Sequence, residues 1–383
     1  MGKSFSFASL GFLFFILVAE ANAQQLPSPA DILEKAQLAN DYFMQKWPDP
    51  SKEIVGNKVR PSNIWTRAVY YEGLMALYNI DPQPKYITYT MDWGNAHDWK
   101  FRGGRTYTRD ADHLCAAQTY IDLYLLNRQP KQIQATKMAI DSIMNTAKID
   151  DWHWIDAIQM GMPVFAKLGV LNQDSKYFER MFDMYHFSKT LHGEKGLYNK
   201  KDKLWWRDKD FDPPYAEPNG EDCYWSRGNG WVIMALARTL EIIPQDAPHR
   251  KVYKKDLKCM AKALAKVQRE DGFWNVSLHD PTNFGGKETT GTAMFVYAMA
   301  WGINNGILPK KKYLPIVVKA WNAMVKDALH ANGFLGHVQG TGKEPKDGQP
   351  LSYDKIPDFE DYGLGAFLVA GVEMYKLSAN QTK

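Results

Sequence analysis

The chain is 383 residues long, 45% hydrophobic and 23% charged, proportions of an ordinary water-soluble protein that exclude a collagenous, low-complexity or membrane-embedded chain. Its formal charge of +4 is spread over 47 cationic and 43 anionic side chains, too weak and too dispersed a surplus to point to nucleic acid. Aromatics are the unusual feature. Thirteen Trp, 20 Tyr and 18 Phe make up 13% of the chain although the mean hydropathy is only −0.44, a mixture that suits stacking on sugar faces and equally a large aromatic core.

Residues 1–23 predict a secretory leader. Lys3 supplies a positive start, Phe5 to Ala19 is an apolar run short for a membrane span, and Ala21-Asn22-Ala23 has the small-x-small pattern of a cleavage site. The expected mature chain starts at Gln24 and is periplasmic or secreted, with no membrane attachment after cleavage, since no lipid-accepting Cys follows the apolar run. Cys115, Cys223 and Cys259 lack metal-like spacing and are odd in number, so neither a disulfide framework nor a metal site is expected. No Pro/Gly/Ser-rich linker interrupts 24–383, which predicts one domain.

Taken in chain order, the elements alternate. A one-faced amphipathic stretch from Ala30 is followed by runs that are apolar all round: IWTRAVYYEGLMALY from Ile64, DADHLCAAQTYIDLYLL from Asp110 and WIDAIQMGMPVFAKLGV from Trp154. One-faced YFERMFDMYHFSKTL from Tyr177 precedes apolar WSRGNGWVIMALARTLEII from Trp225; KVYKKDLKCMAKALAKVQ from Lys251 precedes TTGTAMFVYAMAWGI from Thr289; and YLPIVVKAWNAMVKDAL from Tyr313 precedes DYGLGAFLVAGVEMYKL from Asp361. An inner ring of buried helices wrapped by an outer ring needs that alternation. The first apolar runs recur roughly every 45 residues and the later ones every 60–70 or so, as expected of a helical-hairpin repeat with long loops inserted. The long loops, Leu197 to Tyr224, Phe273 to Glu288 and Phe334 to Phe359, are where function is expected. About six hairpins closed into an all-α (α/α)6 toroid is the architecture predicted; an open helical solenoid is the alternative.

Polar residues at the heads of the apolar helices carry the chemistry. Asp156 in WHWIDAIQM has apolar neighbours on both sides, so burial should raise its pKa and let it donate a proton near neutral pH; a hydrogen bond to a neighbouring helix is the structural alternative. Asp112 in RDADHLCAAQTYIDLY is its natural partner, with His113 beside it, although either Asp110 or Asp112 could serve as the helix N-cap. Arg227 in WSRGNGW sits at a helix N-terminus against the macrodipole, and an acidic partner, protein or ligand, would explain it. Trp225 and Trp231 fit a sugar platform or the core.

The ordered set DADHLCAAQTY, WHWIDAIQMGMPVFA, YWSRGNGW, REDGFW, ETTGTAMFVYAMAWGI and DYGLGAFLVAG resembles glycoside hydrolase family 105, the unsaturated rhamnogalacturonyl hydrolases, and its relative family 88. That resemblance implies an (α/α)6 barrel and removal of a 4,5-unsaturated uronic acid from the non-reducing end of lyase-generated oligosaccharides, without metal or organic cofactor. It implies Asp156 as the principal acid/base, Asp112 as the second carboxylate, and Arg227 and Trp231 in the sugar pocket, with Arg227 holding the uronate. Where many members carry a His after a Gly-Leu-aromatic motif, GLYNKKDKLWWRD has Asn199 and Lys200, so Lys200, Trp206 or Arg207 is expected to substitute. Rhamnogalacturonan, arabinogalactan and ulvan fragments are all compatible sources. A polysaccharide lyase, a sugar epimerase and a non-catalytic glycan-binding solenoid are the rival functions.

Overall fold

The computed structural model describes residues 25–55, 59–355 and 361–380; the expected leader lies outside them. Twelve helices run through the described residues: α1 (Pro29–Lys46), α2 (Trp65–Tyr78), α3 (Pro84–Ala96), α4 (Ala111–Asn127), α5 (Lys131–Met144), α6 (Asp156–Asn172), α7 (Lys176–His186), α8 (Ser226–Ile242), α9 (Arg250–Leu264), α10 (Thr289–Asn304), α11 (Lys310–Asp327) and α12 (Asp361–Ala379). A two-stranded antiparallel hairpin, β1 (Ile54–Val55) and β2 (Val59–Arg60), pairs Ile54 with Arg60. Helix periodicity gave no sign of it, because two-residue strands are shorter than any pattern.

The even-numbered helices form the inner ring. Each packs on the next, and α12 returns to α2, while the odd-numbered helices lie outside, α1 against α12. This is the closed (α/α)6 toroid, and closure removes the open-solenoid alternative. Inner helices are buried on nearly every face, as in α10, where Thr289 to Ile303 are all buried, whereas the outer ones bury one stripe. An all-round apolar sequence therefore reads as inner and a striped one as outer.

Two local devices make the ring tight. Gly73 on α2 faces Gly365 on α12; a Cβ on Gly73 would lie 2.6 Å from the Gly365 carbonyl oxygen, so the backbones meet where only glycine fits. Above that seam Arg67 Nε donates to Asp361 Oδ2 at 2.5 Å, both side chains buried, and the guanidinium lies 5.0 Å from the rings of Phe43 and Trp47. In α6, Pro163 lacks the N–H that would bond the Gln159 carbonyl. Gln118 of α4 supplies the missing donor, Nε2 to Gln159 O at 2.9 Å, which locks the two helices that carry the carboxylates.

Candidate active site

At the N-terminal end of the inner helices lies a cleft of about 590 Å³, lined by Val59, Arg60, Ile64, Trp65, Arg102, Asp112, Trp154, Asp156, Met160, Arg207, Thr341 and Gly342. Asp156 is the first residue of α6 and is 8% exposed. Its segment is tied to the long loop after α7 by Ile155 N–H donating to the Arg207 carbonyl at 3.0 Å. The same tether brings the Arg207 side chain back, and its Nε donates to Asp156 Oδ2 at 3.3 Å. Arg207 Nη1 meanwhile donates to Asp208 Oδ2 at 2.5 Å. Burial raises the pKa of Asp156; Arg207 and Arg227 pull against the rise, and Asp208 adds to it.

Asp112 stands in the first turn of α4. The N-cap is Asp110, whose Oδ1 accepts from Asp112 N–H at 2.9 Å, so the capping role is filled and the Asp112 carboxyl faces the cleft. Burial, then the negative charges of Asp110 and Asp156, push its pKa up to about 7, with Arg207 and Arg60 opposing. Both carboxyls thus hold a proton more tightly than a solvated Asp, and each is held in reach of cations. Among the described residues no cluster suited to a metal ion occurs, and the cleft joins carboxyl groups to guanidinium groups, a set made for proton transfer to an anionic substrate.

Of the sequence-expected residues, Asp156, Asp112 and Arg207 come together in this cleft. Arg227 does not grip the open space. Its Nη1 donates to the Gln339 carbonyl and its Nη2 to the Gly340 carbonyl, each at 2.9 Å, and it lies 4.4 Å from the Trp225 ring. Its hydrogen bonds therefore go to a loop backbone, and the clamp fixes the chain just before Thr341 and Gly342. Trp225 is 1% exposed and donates Nε1 to Gln339 Oε1 at 2.9 Å; it is core. Trp231 is fully buried beneath Trp65, ring centroids 6.1 Å apart and edge-on, so it supports the pocket without reaching it.

Trp206 is buried against Tyr224 and is not among the cleft-lining residues. Lys200 is exposed on the turn between Tyr198 and Trp205, its carbonyl accepting from Lys203 Nζ, and Asn199 binds Asp202, Asp222 and Tyr224. Hence Arg207, two residues past that turn's closing strand, is the side chain of the expected trio that reaches the site. His113 turns toward Thr108 and Asp110, with its Nδ1 3.3 Å from Thr108 Oγ1.

Sequence reasoning missed Arg60, Trp65, Arg102, Thr341 and Gly342. Trp65 was legible: it opens an apolar inner helix, much as Trp154 and Trp225 stand at the heads of theirs. Arg60 and Arg102 had no local signal, because the β1–β2 hairpin and the loop before α4 bring them in. Trp65 and Trp154, not Trp225 and Trp231, are the aromatic walls open to a sugar.

Comparison with known proteins gives the class. The Glycosyl Hydrolase Family 88 profile matches residues 35–378, so the chain belongs to that family and is a glycosidase. It is 31% identical over 335 residues, covering 82% of this chain and 84% of the relative, to a protein of Formosa agariphila named unsaturated 3S-rhamnoglycuronyl hydrolase. A family 88 glycosyl hydrolase from Bacteroides vulgatus superposes with a TM-score of 0.83 at 31% identity, over 92% of this chain and all of that one. A protein described as a polysaccharide lyase superposes equally well, TM-score 0.83 at 28% identity, over 93% of this chain and 99% of the other. Family 88, related to family 105 in the resemblance drawn from the motifs, is where the chain falls.

Proposed function

We propose that this glycosidase is an unsaturated uronyl hydrolase: it removes a 4,5-unsaturated uronic acid from the non-reducing end of a lyase-generated oligosaccharide. The observation that carries it is the pairing of a proton-retaining carboxyl, Asp156, with a guanidinium, Arg207, on one wall of the cleft. The Formosa relative, by its name, acts on a rhamnoglycuronyl substrate, and a rhamnose-containing aglycone is the best-supported choice here.

The substrate's C4=C5 double bond is attached to the ring oxygen, so C4 is nucleophilic. Protonation of C4 by Asp156 forms the C4–H bond, leaves Asp156 as carboxylate and places an oxocarbenium-like charge at C5. Water adds at C5 while Asp156 takes back a proton; Asp112 orients that water. The resulting hemiketal opens by breaking the bond from C5 to the ring oxygen, giving a ketone, and the hemiacetal left at C1 expels the aglycone as an alcohol. One acid/base residue closes the cycle, so the carboxylate-separation rule of ordinary glycosidases does not apply. Arg207 couples binding to chemistry. When the substrate carboxylate engages it, Asp156 loses part of its counter-charge, and its pKa rises in the complex that needs it protonated.

The test is the loss of ultraviolet absorbance at about 235 nm as the conjugated alkene is consumed. Wild type should consume it and Asp156→Asn should not. The lyase reading, carried by the description of one structural relative, predicts the opposite sign, with absorbance created from a polymer. Among the described residues lining the cleft there is neither Tyr nor His, the usual bases for a lyase and for the paired-His epimerase. The leader read at 1–23 supports a periplasmic or secreted site of action, to be checked by sequencing the mature N-terminus.

A further inference from the structure

Glu72 is a buried carboxyl that the reaction above does not use. It stands on α2 in the run Tyr70-Tyr71-Glu72-Gly73-Leu74, its side chain fully buried, where an acid without partners is costly. Its two oxygens reach two other inner helices. Oε1 accepts from Cys115 Sγ of α4 at 3.3 Å, and Oε2 accepts from Gln159 Nε2 of α6 at 2.9 Å. Arg238 of α8 brings its Nη2 to 3.5 Å from Oε2 as the counter-charge, and the same nitrogen donates to Gln118 Oε1 of α4 at 3.0 Å. Gln118 in turn donates to the Gln159 carbonyl. Cys115, Gln118 and Gln159 are all fully buried.

Cys115 follows Asp112 by three residues, and Gln159 follows Asp156 by three. Three residues along an α-helix return to the same face about one turn further on. Each contact of Glu72 thus lies one turn beneath a carboxyl of the cleft, and a single side chain spans the two helices whose first turns carry the acid pair. Asp156 must meet C4 while Asp112 meets the water, and such geometry tolerates errors of well under about 1 Å. Resting on the hydrolase reading above, we propose that Glu72 is a positioning residue for the reaction: by accepting from Cys115 and Gln159 together it sets how Asp112 and Asp156 stand to each other. Gln159 Oε1 is buried and has no partner among the described residues, so its amide can turn over and accept where it now donates. A Gln at position 72 would then rebuild both contacts, its amide donating to Gln159 Oε1 and its carbonyl accepting from Cys115. Ala rebuilds neither.

Loss of the alkene absorbance on an unsaturated uronyl disaccharide gives kcat and KM, and chemical unfolding gives the denaturation midpoint, for wild type and each variant. Glu72→Ala should lower kcat by about 30- to 100-fold with KM within about twofold of wild type, whereas Glu72→Gln should keep kcat within about threefold. Gln159→Ala should lower kcat by about tenfold. The double variant Glu72→Ala, Gln159→Ala should fall no more than about twofold below Glu72→Ala, because the two side chains act through one contact. Arg250→Met on the outer helix α9 is the control for stability alone: it strips the Leu240 and Ile243 carbonyls of their donor and should lower the midpoint with kcat kept. If Glu72→Ala fails to fold, Glu72→Gln and Gln159→Ala decide. A wild-type kcat in Gln159→Ala, a loss in Glu72→Gln as large as in Glu72→Ala, or a loss that falls on KM alone would overturn the positioning role. If wild type itself leaves the alkene intact, the hydrolase reading fails, an outcome distinct from equal turnover by wild type and variants.

Discussion

Arg207 is shared between two carboxylates: its Nε meets Asp156 at 3.3 Å and its Nη1 meets Asp208 at 2.5 Å. Asp208 thus withdraws the guanidinium from Asp156 and adds its own negative charge, and both effects raise the Asp156 pKa. In Asp208→Asn the guanidinium is left to Asp156 alone and that pKa drops. Asp156 must be protonated to donate to C4, so activity is lost as pH rises through its pKa. The alkaline limb of the kcat profile should therefore move to lower pH in this variant, with activity at acid pH largely kept. An unshifted limb would show that Asp208 does not act on the donor.

The coupling of Arg207 to substrate gives a second pH signature. In free enzyme the guanidinium opposes protonation of Asp156; in the complex the uronate occupies it. The alkaline limb of kcat, which reports the complex, should lie at higher pH than that of kcat/KM, which reports the free enzyme. Arg207→Gln should raise KM and bring the two limbs together, with a loss in kcat/KM of about 10²-fold or more. Full pH–rate profiles for both proteins decide it.

The ring of helices was legible because an inner helix must be apolar on every face, and Asp156 stood out as a carboxylate inside such a run. The cleft's cations were less so. Arg60, Arg102 and Arg207 come from a hairpin and two loops, whose placement depends on contacts between residues far apart, such as Ile155 N–H with the Arg207 carbonyl. A place at a helix head leaves the motif residue Trp225 open between sugar platform and core and Arg227 open between a protein and a ligand partner, and the family resemblance assigns Arg227 to the sugar pocket. What the sequence could not show is that the loop around Gln339 covers them: Gln339 is fully buried and accepts from Trp225, while its amide donates to the Glu344 and Asp347 carbonyls.

Arg227 offers a direct choice between a clamp and a ligand contact. Bound to the carbonyls of Gln339 and Gly340, it leaves buried acceptors without donors when removed. Arg227→Met should cost about 2–4 kcal/mol of stability and raise KM by releasing the wall formed by Thr341 and Gly342. A side chain serving only to grip the uronate would depress kcat/KM without lowering the denaturation midpoint, so chemical unfolding beside kinetics separates the two roles.

Asp112 should show that the site is held against the stability of the fold. Its pKa is pushed up to about 7 in the folded protein, above the ordinary carboxylate value near 3.9 of an unfolded chain. The fold therefore binds this proton more tightly than the unfolded chain does, and its contribution to stability declines as pH rises from about 4 to about 7. Above that range a half-buried carboxylate sits near Asp110 and Asp156 with only partial compensation. Asp112→Asn keeps the shape and removes the charge, so at pH 8 it should stabilise the protein by on the order of 1 kcal/mol, a few degrees in Tm. At pH 4, where Asp112 is neutral in the fold, the gain should vanish. Turnover should fall by about 10²-fold, because an amide orients the attacking water less well than the carboxyl it replaces. Melting curves at the two pH values, set beside the rates, test this: equal Tm at pH 8 would mean that Asp112 is better solvated than its place at the head of α4 implies.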